Sequence, residues 1–185
     1  EGSYLYMPVT MTHASIGDLL LKNDFAGFTF GAIPENEEEY NAARQGSILD
    51  IFPSAADPEG FQLFQPTTDH ERSGRTVLHT GMDFSTSADG AARVEVYGDD
   101  TNRELVTVDT TYEMKKAWPG ILATTTVTND SGEEQTIPVL GDFISWGAML
   151  PFVSGSGWMN RSGVVPDVEF VFARYADSYV MFLPV

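Results

Sequence analysis

The chain has no cysteine. That excludes disulfides, thiolate metal sites and a cysteine nucleophile. It is also nearly without lysine. Lys22, Lys115 and Lys116 are the only three, and with seven arginines they make 10 basic residues against 27 acidic ones. The net charge of −17 repels phosphate backbones and anionic lipid, which argues against nucleic acid as a partner and against binding to anionic membranes. No apolar run approaches the roughly 20 residues that a spanning helix needs, so no membrane insertion is expected. Histidine is scarce too: His13, His70 and His79 each stand apart from any partner at metal-ligand spacing. GxSxG, GxGxxG and P-loop lysine motifs are all missing. The nearest look-alike, Ser154-Gly155-Ser156-Gly157, reads as a flexible turn.

What is present is mostly β pattern. Arg93 to Gly98 alternates, and so does Glu104 to Tyr112, with Asp99-Asp100-Thr101-Asn102 between them as turn chemistry. These two runs predict a hairpin. A second hairpin is predicted from Gly120–Thr128, the polar turn Asn129–Glu134, and Gln135–Leu140, with Pro138 at a bulge or edge. Further strands are expected at Tyr4–Thr12, Phe25–Ala32, Ser47–Phe52, Phe61–Gln65, Thr76–Phe84, Val168–Tyr175 and Tyr179–Leu183. Ile16–Leu21 fits a strand or a short helix. One short helix is expected near residues 35–44, where acids crowd the first turns and Arg44 closes the last.

The expected architecture is all-β: a large antiparallel β-sandwich in which residues 1–185 form a single domain. The ending Tyr179-Val180-Met181-Phe182-Leu183-Pro184-Val185 is apolar to its last residue, which suggests a fragment of a longer polypeptide.

The candidate chemistry is sparse. No catalytic set assembles from a motif, and an active site would have to be built on His79, the one strand-borne histidine, and a strand carboxylate such as Asp142. The competing reading makes His79 a strand residue satisfied by a neighbour. Asp50, Asp83 and Glu169 also adjoin predicted strands, but among 27 acids no pair stands out. No cofactor is called for. Ca²⁺ is the one ion the composition could serve, through Asp99 and Asp100, although a polar hairpin turn accounts for the same residues. Trp118, Trp146, Trp158 and Tyr112 are the candidate ligand-binding residues, because exposed aromatic rings stack on sugar rings. Alternation favours core for most of them: Phe143 and Ser145 face one way, Asp142, Ile144 and Trp146 the other. Trp158, released by the turn at Gly155 and Gly157, is the one placed to meet a partner.

The stretch from Tyr112-Glu113-Met114 through "ATTTVTNDSGEEQTIPVLGDFISWG" resembles the long strand, short turn, long strand unit of galactose-mutarotase-like supersandwich domains. The segment "LGDFISWGAMLPFVSGSGW" resembles sandwich domains that precede PHP-type metallohydrolase domains in large exported bacterial proteins. The resemblance implies a supersandwich-like accessory domain with a carbohydrate association. The enzymatic branch opens sugar rings with a histidine and a carboxylate, but no motif around His79 matches it. The histidine-rich centre of a PHP domain is missing altogether.

Three expectations follow. The first is a non-catalytic accessory or interaction domain of a larger secreted or cell-surface protein, partnered by other domains of the same polypeptide or by polysaccharide. The second is a mutarotase-like or lyase-like carbohydrate-active enzyme. The third is a structural, self-assembling subunit.

Overall fold

A computed structural model of the chain describes residues 17–33, 44–53, 63–69, 76–146, 150–159, 168–175 and 178–184. Thirteen strands run through them, and no helix occurs among the described residues. The helix expected at 35–44 lies outside them except for Arg44, and so does the strand expected at Tyr4–Thr12.

The strands form three antiparallel sheets. The first holds β1 (Leu19–Lys22), β2 (Ala26–Phe30), β3 (Ile48–Pro53), β4 (Leu63–Thr67) and β9 (Gly141–Ser145), in that spatial order. The second is a plain meander of β5 (Val77–Thr86), β6 (Ala92–Asp100), β7 (Val106–Met114) and β8 (Leu122–Asn129). The third holds β10 (Leu150–Val153), β11 (Gly157–Trp158), β12 (Val171–Tyr175) and β13 (Ser178–Phe182), ordered β11-β10-β12-β13.

The meander shows why this sequence makes sheets. Strand β7 alternates buried and half-buried residues along its whole length: Val106, Val108, Thr110, Tyr112 and Met114 point inward. Val94 and Val96 do the same on β6. β-branched residues at period 2 fit a pleated surface with one buried face.

That face meets Phe28, Phe30, Ile48 and Phe64 from the first sheet. The Tyr112 ring sits edge-on to Phe30 at 5.0 Å and to Phe64 at 6.4 Å. Phe64 also stacks on Phe182 of the third sheet at 5.1 Å, and Trp146 packs edge-on to the same Phe182 at 5.4 Å. Phe64 therefore joins all three sheets, and the two four-stranded sheets share one face of the five-stranded one. The architecture is an all-β sandwich.

The first hairpin forms, but β6 extends to Asp100 and its turn is Thr101–Leu105, two residues later than the polar residues suggest. The second hairpin does not form. Residues 130–140 contain no strand, and the chain crosses to the first sheet, where β9 pairs with β4 in the register Phe64↔Ile144 and Pro66↔Asp142. Pro138 lies in that crossover, where its missing N–H costs no ladder bond.

Candidate functional site

His79 lies on β5 and is 2% exposed. It faces Gly98 of β6 and the backbone of Gly46, and its Nδ1 atom is 2.5 Å from the Gln45 carbonyl oxygen. Desolvation by burial pushes its pKa below 6.5, outweighing the hydrogen bond to the Gln45 carbonyl, which acts in the opposite sense. Asp142 lies in a different sheet, on the face of β9 that also carries Ile144. Crowding by the protein raises its carboxyl above the usual carboxylate range. The residue nonetheless keeps open surface, and solvent on that side tempers the rise. The two residues from which an acid–base pair would have been built are thus held in separate layers.

The other carboxylates also have placements. Asp50 is buried in β3 opposite Thr29, while Asp83 is exposed on β5 opposite Glu95. The Tyr97 hydroxyl donates to Glu95 at 3.0 Å and lies 3.3 Å from Asp83. The bond to Glu95 is the main reason its phenol pKa rises to about 12.

Asp99 and Asp100 point to opposite sides of β6, as neighbours on a strand must. Asp100 is buried, accepts from Arg103 Nη1 at 2.8 Å and accepts the Asn102 N–H at 2.7 Å. Its oxygens are already committed to the turn. No group of three or more metal-ligating side chains is gathered among the described residues.

The four aromatic candidates do not share a surface. Tyr112 is fully buried in the core and presents nothing to a sugar ring. Trp146 is part of the packing around Phe182. Trp118 is half-buried in a corner: Lys115 Nζ lies 4.9 Å over its ring, and Asn23 Nδ2 donates to the carbonyls of Lys115 and Trp118. That bond set ties the β1–β2 turn to the β7–β8 connection.

Trp158 is different. It is 55% exposed and pairs with Phe152 across the β10–β11 ladder. Phe152 pairs with Phe172, and Phe172 with Met181. Residues directly opposite each other on neighbouring strands share a sheet face. The row Trp158–Phe152–Phe172–Met181 therefore crosses the whole third sheet on one side. Phe170 stacks against both Phe152 and Phe172 at 6.3 Å, extending the row.

This is the side away from the core. The alternate residues Val153, Ala173, Val180 and Phe182 face inward, with Val153 and Ala173 buried and Ala173 in the central cluster. Leu150 lies on the outer side as well, opposite Arg174. Leu150, Trp158, Met181 and Leu183 are all exposed. Among the described residues this outer face has one charged side chain, Arg174, and no carboxylate, in a molecule of charge −17.

Sequence reasoning missed Phe152, Phe170, Phe172 and Met181 as site residues. The signal that could have found them is the even spacing of Phe170, Phe172 and Arg174. It is a strand face with aromatic residues where a solvated face would be polar.

No protein-family model, no curated protein and no solved structure matches the chain.

Proposed function

We propose that the chain is an interaction domain whose docking surface is the outer face of the β10–β13 sheet. The observation that carries this reading is the outward row Trp158–Phe152–Phe172–Met181. Soluble proteins seldom leave a contiguous apolar patch of several large side chains facing water, and such patches mark binding surfaces.

The chemistry of the partner follows from charge and shape. The face has no described carboxylate to attract a cation at its centre, and the overall field repels anions. The Trp158 ring stands at 79° to Phe152 and 73° to Phe172, so the surface is corrugated. Interdigitating side chains fit such a surface better than the flat face of a sugar does. The fitting partner is a protein surface that is apolar at its centre and basic at its rim.

A photo-crosslinking residue at Met181, introduced in the source cell, tests this reading. One defined protein partner is expected, lost when Trp158→Ser is added and weakened by salt. A correctly folded chain that crosslinks only to background would overturn it.

A second reading rests on Trp158 alone. Its exposure suits stacking on the ring of a neutral glycan, in line with an accessory carbohydrate-binding role. Titration with neutral polysaccharides, read by tryptophan fluorescence, decides it. Unchanged emission for the native chain removes the sugar reading.

A further inference from the structure

Among the described strands, β8 is an edge that lacks every device that normally blunts one. It pairs with β7 over eight consecutive positions, from Val106↔Asn129 to Glu113↔Leu122, without a register shift. In the sheet order β5-β6-β7-β8 its other side has no neighbour among the described residues. Its sequence, LATTTVTN, has no charge, no proline and no glycine. The side chains on both of its faces are exposed or half-buried.

The remaining edges among the described strands are guarded. β1 has four residues and ends in Lys22, and β11 has two residues. β5 breaks register between His79 and Gly81 and carries Asp83. β9 carries Asp142, and Pro184 follows β13. Natural sheets place lysines, bulges, prolines or short strands at edges because an open ladder pairs with any suitable chain. A long β-branched edge without them is a pairing surface.

We infer that β8 pairs antiparallel with β8 of a second copy of this chain. The segment is self-complementary. With Thr125 on a two-fold axis normal to the sheet, Thr124 faces Thr126 of the second copy, Ala123 faces Val127 and Leu122 faces Thr128. Each residue keeps its sheet face, so the two meanders join into one eight-stranded sheet. Thr–Thr pairs favour such contacts, and no like charges meet within the segment. The arrangement consumes both open edges and therefore closes as a dimer. Two chains of −17 repel at a distance, so salt strengthens the dimer by screening.

Sedimentation equilibrium of the 185-residue chain tests this. The average mass should climb toward twice the monomer's with concentration, and more readily in about 0.5 M salt than in low salt. The double variant Thr124→Lys with Thr126→Lys places lysine opposite lysine across the axis. Within the fold, position 126 faces Asp109, so a lysine there suits the β7 ladder. That variant should stay monomeric and melt as the native chain does at concentrations too low for the dimer. Amide exchange at residues 122–129 of the native chain should slow with concentration, a reading that needs no variant. A native chain that remains monomeric at both salts overturns the inference. So does a dimer that survives the lysines, or one that Trp158→Ser dissolves while β8 amides exchange freely. The last result would move self-association to the aromatic face and leave the docking reading intact.

Discussion

The Nδ1 atom of His79 on β5 lies 2.5 Å from the carbonyl oxygen of Gln45, which belongs to the connection between β2 and β3. The bond joins two sheets at a buried point. It fixes the neutral tautomer with its proton on Nδ1, donating to the carbonyl. Because burial lowers the histidine's folded pKa below 6.5, the folded state resists taking up a proton that the unfolded chain accepts. The stability held there is whole above pH 6.5 and declines as pH falls from 6.5 through the lowered folded value. Urea unfolding between neutral pH and about pH 5 should show this decline, and His79→Gln should flatten it. Equal slopes for both proteins would refute the assignment.

Gly46 makes room for that histidine. Its φ is +66°, and a Cβ there would lie 2.6 Å from Val96 Cγ1 and 2.8 Å from the His79 ring. Left-handed strain and overpacking add, so Gly46→Ala should cost about 2–4 kcal/mol. Gly90 provides the control. Its φ is +78°, but nothing lies within 4 Å of a Cβ built on it. Gly90→Ala should therefore cost only the backbone strain, about 1 kcal/mol. Equal losses in denaturant titrations would mean that the His79 slot is not tightly filled.

Alternation explains what could be read from the sequence and what could not. Strands β6 and β7 were legible because one face is buried and the other is not, so the period of 2 is written in Val94, Val96, Val106 and Val108. The split of β9 into an Ile144–Trp146 side and a Phe143 side was legible for the same reason. Alternation says which residues share a face; it does not say which face meets the core. On β10 and β12 the buried side belongs to Val153 and Ala173, while Phe152 and Phe172 face the other way. Strand partnership is also non-local. The run 135–140 looks like the return of a hairpin, and only the pairing of β9 with β4 shows the crossover.

Tyr112 carries a hydroxyl that the core does not use. The residue is fully buried, and its oxygen has no hydrogen-bond partner. Burial, and then the charge of Asp142, pushes its phenol far above the ordinary value. A buried hydroxyl without a partner carries a desolvation cost, so removing it while keeping the ring should help. Tyr112→Phe should leave stability unchanged or raise it by up to about 1.5 kcal/mol. Tyr112→Ala should cost about 3–5 kcal/mol, because the ring contacts with Phe30 and Phe64 go with it. A clear loss in Tyr112→Phe would show that the hydroxyl is bonded in solution.

Met181 and Phe182 are neighbours on β13 and face opposite ways. Phe182 stacks on Phe64 and receives the edge of Trp146, and its side chain closes the core between the first and third sheets. Met181 is 57% exposed and ends the outward aromatic row. Two adjacent substitutions must therefore behave as core and surface. Phe182→Ala should cost about 3–5 kcal/mol. Met181→Ser should change stability by about 0.5 kcal/mol or less, as surface changes do. The same Met181→Ser should lower binding of a hydrophobic dye to the folded chain, and a combined Met181→Ser and Trp158→Ser should lower it further, since both remove apolar surface from one patch. Chemical denaturation and dye fluorescence measure these effects separately. A stability loss at Met181 comparable to that at Phe182 would place the row inside the molecule and take away the docking face with it.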